Sequence, residues 1–265
     1  MTSNDCCSDS SKEHDHIKLN HKEAIQNRYG SAAIEKESCL CTPVSFDQKY
    51  LKAIPIEVID KDYGCGDPTK WVRENDHVLD LGSGCGKNAF ICSQIVGEKG
   101  YVIGIDQNID MLALATKSIH YVSEKIGYKN IEFINGSIEQ LDALDKDSEQ
   151  ILENDSIDIV LSNCVLNLVN PNCRTKLLEN IKRLLKANGR IAISDIVSNK
   201  KVPLKMQYDA DLWSGCISGA WYEPDLINDF KDMGFKNLEF AERSSAPWRV
   251  IEDIEFRTVT LVGNL

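Results

Sequence analysis

The alternation of short apolar runs with helix-spaced stretches between residues 77 and 194 constrains this chain more than any other feature. His77–Leu81 (HVLDL) runs into Gly82-Ser83-Gly84-Cys85-Gly86, and a helical pattern follows over Lys87–Val96. Tyr101–Ile105 (YVIGI) is a second strand, ended by Asp106. Ile109–Ile126 then places Met111, Leu112, Leu114, Ala115, Ile119 and Val122 on a helical spacing. Ile131–Ile134, Ile157–Leu161 and Arg190–Ser194 read as three more strands, with an amphipathic helix over Leu177–Leu185 ended by Asn188-Gly189. Strand following helix five times over predicts an α/β fold built on a doubly wound, mostly parallel sheet. Helical material is expected over 203–234. Asn237–Ala241 and Arg257–Val262 read as two last strands with no long helix between them, a hairpin closing one edge.

Four regions are expected: a mobile polar tail over 1–20, a helical N-terminal extension over 21–70, a core over 71–200 and a closing segment over 201–265. Within the extension, residues 20–37 are mildly helical, and 42–61 form one or two short helices interrupted at Pro55. The acidic stretch DALDKDSEQILENDS reads as a helix or surface loop. Forty-one acidic against thirty basic residues leave a net charge of −11, which excludes nucleic acid as a partner. No apolar run approaches the roughly 18 residues that span a bilayer. The first twenty residues lack the apolar stretch of a secretory signal. A cytoplasmic monomer with reduced thiols is therefore expected.

Ten cysteines, at 6, 7, 39, 41, 65, 85, 92, 164, 173 and 216, need a reason other than a disulfide framework in such a compartment. Two close CxxC pairs, the familiar zinc pattern, are absent.

The glycine loop lies at the carboxyl end of the first strand, the edge where open α/β sheets bind ligands. A dinucleotide fingerprint, GxGxxG, wants glycine at 87. Lys87 stands there and the spacing is GxGxG, which argues against a nicotinamide oxidoreductase. Asp80, just before the loop, repels a pyrophosphate and attracts an ammonium or sulfonium group. S-adenosylmethionine carries both cations and no phosphate, and is the expected cofactor. Asp106, at the end of the second strand, is placed to accept hydrogen bonds from both ribose hydroxyls. Ile138 and Glu139, after the third strand, are placed to flank the adenine. Gly82, Gly84, Gln107 and Asn163 complete the expected cofactor-binding set.

The stretch VLDLGSGCGKNAFICSQIVGEKGYVIGIDQNIDMLALA resembles the class I S-adenosylmethionine-dependent methyltransferases, and the likeness extends over about residues 60–200. It implies a Rossmann-like, seven-stranded sheet with a reversed last hairpin. Three further segments narrow the family. Tyr63-Gly64-Cys65-Gly66, Ser162-Asn163-Cys164-Val165-Leu166-Asn167-Leu168 and Leu212–Ala220 (LWSGCISGA) resemble the YGCG, SNCVxNL and WxxCxxGA motifs of arsenite methyltransferases. That resemblance implies Cys65, Cys164 and Cys216 as the ligands of arsenic(III) and Tyr63 as a neighbour of the sulfonium. It also implies an upstream cysteine that relays substrate and pairs with Cys65 as a disulfide during turnover; Cys39 and Cys41 both fit, and the choice stays open. Cys6-Cys7 is a further pair in the tail, and for Cys85, Cys92 and Cys173 plain burial is expected. Longer members continue into a C-terminal domain. This chain ends soon after the Arg257–Val262 strand and is expected to lack it, which leaves the extent of methylation open.

Coordination chemistry supplies a reason for the pattern. Trivalent arsenic is soft, and thiolates are the soft ligands a protein offers. Three of them hold it in a pyramid whose lone pair can face the sulfonium methyl, so that catalysis is mostly positioning. The expected function is methylation of arsenite or its thiol conjugates for detoxification, with glutathione or thioredoxin supplying thiols and reductant. Two other readings fit the residues: the same fold acting on another thiophile or a small organic acceptor, and a non-enzymatic metalloid-binding protein.

Overall fold

In the computed structural model, which describes residues 21, 23–32, 44–61, 63–142 and 152–265, strand β1 (His77–Leu81) buries four of its five residues. A strand covered by helices on both faces must do so. It lies within a sheet ordered β3 (Ile131–Asn135), β2 (Tyr101–Asp106), β1, β4 (Ile157–Asn163), β5 (Leu185–Ser198), β9 (Ile254–Asn264) and β7 (Lys236–Arg243). Short β6 (Trp221–Tyr222) adds to β5 and β8 (Arg249–Ile251) to β9. Strands β1 to β5 run parallel, while β9 is antiparallel to both β5 and β7.

Strand order reverses between β1 and β4, and the register brings the carboxyl ends there into line. Leu81 pairs with Ile105 and Ser162, Asp106 with Asn135, and Asn163 with Ser194. Whatever follows these residues converges on one edge, the usual ligand crevice of such a sheet.

The period of two sorts each strand between two cores. Val78, Ile159, Leu161 and Ala192 pack with Phe90 and Ile91 of α4 (Lys87–Val96) and Met111 and Val122 of α5 (Ile109–Ile126). Leu79, Leu81, Val160, Ile191 and Ile193 pack on the other face with Leu177 and Ile181 of α6 (Arg174–Leu184) and Phe230 of α9 (Glu223–Asp232). A third, smaller cluster gathers Cys65, Cys164, Ile196, Met206, Cys216, Ile217 and Phe256. Beside it lie α7 (Leu204–Gln207) and α8 (Ala210–Ser214), and α1 (residues 23–32) reaches it through Tyr29, whereas α2 (Gln48–Leu51) and α3 (Ile56–Asp60) pack on α4 and α5.

Three expectations change. The helix expected over Leu177–Leu185 begins at Arg174 and stops at Leu184. Leu185 already pairs with Ile157, and Asn188-Gly189 lies in the register shift before Arg190 pairs with Ile159. The stretch 203–234 is not all helical. Trp221 and Tyr222 pair with Val197 and Ser198, a long-range pairing that local spacing does not encode. Strand β8 was likewise unforeseen. Cys6, Cys7, Cys39, Cys41 and most of the acidic stretch after Asp142 lie outside the described residues.

Asn130 ties the end of α4 to the start of β3. Its side chain accepts from Ser93 Oγ at 2.6 Å and donates to the carbonyls of Ser93 at 3.0 Å and Gly97 at 2.8 Å. Replacing it with Ala leaves buried acceptors unpaired and is expected to lower stability by roughly 3 kcal/mol, seen as a lower urea midpoint at unchanged slope.

Candidate active site

The loop between β1 and α4 is shaped by left-handed glycines, with φ of +68° at Gly82 and +53° at Gly84. A Cβ at Gly82 would meet Val165 Cγ1 at 2.5 Å, so the loop passes too close to the β4 side for any other residue. Gly84 N–H donates to Asp106 Oδ2 at 2.8 Å and Asn108 N–H to Oδ1 at 2.8 Å. The loop and the end of β2 are thereby fixed as one wall. Burial raises the pKa of Asp106, against the lowering by these amides and that of Gln107. Its carboxylate retains lone pairs for hydroxyl donors.

A cleft opens beside this wall. Gly82, Gly84, Asp106, Gln107, Ile138, Glu139, Asn163, Cys164 and Tyr63, all singled out from the sequence, line it. Glu139 Oε1 also accepts from Asn170 N–H at 2.9 Å, which fixes the turn after β3 against the segment after β4.

Two residues expected to hold the cofactor have other surroundings as well. Asp80 does not line the cleft. Alternation along β1 turns it away from the Leu79 and Leu81 face, and it is 1% exposed. There its charge acts on Cys92, whose thiol is pushed up by burial first and by Asp80 second. Asn163 borders the cleft, but its carboxamide is committed elsewhere. Oδ1 accepts from Cys65 N–H at 2.9 Å and Gly66 N–H at 3.2 Å, and Nδ2 donates to Gly66 O at 2.9 Å. Lys87, the residue that breaks the dinucleotide pattern, is buried with Nζ 3.7 Å from the centre of the Phe46 ring.

Asn163 thus carries Cys65 to the end of β4, next to Cys164. Cys216, from the turn after α8, closes the group, its Sγ donating to Cys164 O at 3.2 Å. The Cys65 and Cys216 thiols are near enough to act on the ionisation of the Cys164 thiol. Three cysteines 99 and 52 residues apart along the chain therefore share one buried cluster. Cys164 and Cys216 both adopt left-handed backbone, at φ +63° and +59°. The Cys216 thiol lowers the pKa of Cys164, but the Cys65 thiol, burial and the Asp195 charge outweigh it, and Cys164 lies well above the ordinary thiol range. Cys216 is raised similarly, by Cys164 first and then by burial. Cys85, Cys92 and Cys173 are buried outside the cluster; Cys85 Sγ donates to the carbonyls of Val58 and Lys61.

Two residues of the site escaped the sequence reading. Tyr29 on α1 lines the cleft, and its hydroxyl is 3.7 Å from Cys216 Sγ. Its ring packs edge-on against Tyr63, whose own hydroxyl donates to Ala32 O at 2.9 Å. The signal lay in Ile25, Tyr29 and Ala32, spaced as one helix face. Asp195, in the apolar run of β5, is the second. It is 2% exposed, and its carboxylate lies within 4.8 Å of the Cys65 and Cys164 sulfurs. Burial raises its pKa to about 7, against the N–H groups of Ile196, Asn167 and Leu166 and the charge of Arg174. A lone acid in an otherwise buried strand was a legible anomaly.

Comparison with known proteins gives concordant matches. A family model described as a methyltransferase domain matches residues 73–244. An arsenite methyltransferase of Rattus norvegicus is 36% identical over 226 residues, 81% of this chain and 58% of that protein. One from Aquipseudomonas alcaligenes is 32% identical, over 83% of this chain and 63% of that protein. The chain thus spans about three-fifths of the length of these relatives. Among solved structures, an arsenic(III) S-adenosylmethionine methyltransferase from Chlamydomonas reinhardtii superposes with a TM-score of 0.73 at 31% identity, covering 83% of this chain and 74% of that one.

The raised pKa of Asp195 has a stability signature. The folded protein favours the protonated acid, so this contribution is complete below the unfolded value of about 4 and is lost as pH rises through about 7. Across that window the wild type is expected to lose stability relative to Asp195→Asn, read from thermal midpoints of the two proteins measured in parallel.

Proposed function

This chain belongs to the arsenite methyltransferase family of class I S-adenosylmethionine-dependent methyltransferases, and from that premise we propose that it methylates trivalent arsenic held by Cys65, Cys164 and Cys216. The observation that carries the reading is that these three cysteines share one buried cluster, of which Cys164 lines the cleft.

The cleft suits the cofactor. Left-handed glycines bring backbone close to a ligand, Asp106 offers a carboxylate to a diol, and Met111 and Ile138 give apolar lining beside it. When bound, S-adenosylmethionine supplies an electrophilic methyl group on a sulfonium. Cys164, which belongs to both cleft and cluster, is the contact between donor and acceptor.

The raised thiol pKa values fit a neutral guest. Arsenite at neutral pH is a trihydroxide, and each of its As–O bonds exchanges for an As–S bond as the thiol proton leaves with the hydroxide as water. No separate base is required, and the buried cluster never has to hold three free thiolates, which its low dielectric disfavours. Arsenic held by the three thiols would keep its lone pair free to take that methyl group, and would be left formally pentavalent. A thiol reductant of the glutathione or thioredoxin class returns two electrons before a further round. Cys39 and Cys41 are the two candidates for an upstream relay thiol.

Incubation with arsenite and methyl-labelled S-adenosylmethionine tests the reading: labelled methylarsenic is expected, and cofactor binding without arsenic-dependent transfer overturns it. Substituting Ser singly at Cys65, Cys164 or Cys216 is expected to lower arsenite turnover by more than about 100-fold, beyond the loss typical of an outer-sphere partner. Cofactor affinity, measured by calorimetry, should change little in these variants. Asp106→Ala is expected to do the reverse. Loss of two charge-assisted hydrogen bonds, at about 1.5 kcal/mol each, weakens cofactor binding by roughly 100-fold and leaves arsenite binding in place.

A further inference from the structure

The thiol cluster contains one more donor than trivalent arsenic uses. Cys65 Sγ, Cys164 Sγ and a carboxylate oxygen of Asp195 lie within 4.8 Å of one another. Cys216 stands beside this trio rather than within it, its Sγ 3.2 Å from Cys164 O, so that turning its side chain would bring a third sulfur to the group. All four side chains are buried. Arsenic(III) fills three positions with sulfur and keeps its lone pair in the fourth. A divalent cation of zinc's class has no such lone pair and takes four donors in a tetrahedron. Three sulfurs and one carboxylate oxygen are a donor set that suits it.

The surroundings of Asp195 favour this role. Ile196 N–H donates to Oδ1 at 2.8 Å and Asn167 N–H to Oδ2 at 3.3 Å, which orients the carboxylate as outer-sphere partners orient metal ligands. Arg174, close enough to act on Asp195 electrostatically, offsets part of the negative charge that three thiolates and a carboxylate leave around a doubly charged ion. The arsenic reading gives Asp195 no ligand role.

We propose that Cys65, Cys164, Cys216 and Asp195 form a four-donor site for a zinc-class divalent cation, which occupies the arsenic position and blocks arsenic binding. The blocking rests on the assignment of the three thiols to arsenic; cation binding itself does not. Three S–Zn bonds and one O–Zn bond form, the displaced S–H protons pass to solvent, and no electrons move.

The test titrates the reduced, metal-free full chain with Zn(II) against a chromophoric chelator, with Co(II) as a spectroscopic stand-in. A parallel titration uses a variant with Ser at 6, 7, 39 and 41, so that the remaining upstream thiols do not contribute. One cation per cluster is expected, with the intense ligand-field and sulfur-to-cobalt bands of a tetrahedral thiolate site, and displacement by arsenite. Asp195→Asn is expected to weaken zinc about 10–100-fold while arsenite affinity, read by protection of the thiols from a thiol reagent, stays within about twofold. Cys164→Ser should weaken both. The proposal is overturned if zinc does not bind at the cluster, if Asp195→Asn leaves zinc affinity unchanged, or if that variant weakens zinc and arsenite alike. Failure of the methylation reading looks different: zinc titrates as expected, yet no methyl reaches arsenic.

Discussion

The carboxamide of Asn163 is the joint on which the site turns. At the end of β4 it satisfies three backbone groups of a segment 98 residues away that has no regular structure of its own. Buried groups of that kind otherwise cost about 1–3 kcal/mol each. The approach leaves no room for side chains on the segment: a Cβ at Gly64 would meet Asn163 Cγ at 2.6 Å, and one at Gly66 would meet Ser194 Cβ at 2.6 Å. The glycines flanking Cys65 and the asparagine preceding Cys164 are therefore one structural unit. Two motifs distant in the chain have a single physical explanation, and it is the delivery of one sulfur to another.

Burial of that sulfur cluster separates it from the usual reactive cysteine. Thiols that act as nucleophiles sit in electropositive, partly exposed surroundings that lower their pKa. Cys164 and Cys216 are buried beside Asp195 and are raised instead. Such thiols still bond to a guest that brings its own proton acceptor. A charged cation must displace protons against the same environment, so its binding strengthens as pH rises, whereas a neutral trihydroxide whose hydroxides leave as water releases no net proton.

The sheet was legible because its information is local. The helices over Lys87–Val96 and Ile109–Ile126 match their expected limits, since each carries its own stop signal: Gly97 with φ +73° and Gly127 with φ +91°. Where pairing is long-range the sequence is silent. Asn188-Gly189 reads as a helix terminus, yet Leu185 is captured by Ile157 before the chain reaches it. Trp221-Tyr222 is too short to announce a strand and exists because Val197 and Ser198 offer an edge. Asp106 and Cys164 border the cleft because a position at the end of a strand suffices to put them there. Asp80 is not among the lining residues, since its side-chain direction depends on which face of β1 carries it, and Tyr29 reaches the cleft only because of where α1 docks.

That docking bears on the left-handed cysteines. Left-handed backbone at a residue with a Cβ costs roughly 1–2 kcal/mol, and the cluster has two such residues. The conformation persists only where the surroundings over-determine it. At Cys164 the N–H is held by Ser194 O at 2.8 Å, an extension of the β4–β5 ladder. At Cys216 the N–H is held by Trp213 O at 3.0 Å, and α1 braces the same turn from outside. Arg28 donates to Asp211 O and Ser214 Oγ, His21 stacks on Trp213 at 4.4 Å, and Tyr29 reaches the sulfur itself. One cysteine is thus locked by the sheet and the other by an helix that contacts the cleft and the turn together. Removing α1 would leave Cys164 strained but supported, while Cys216 would keep only its local turn. Cys216 is therefore the member of the cluster whose geometry depends on the N-terminal segment.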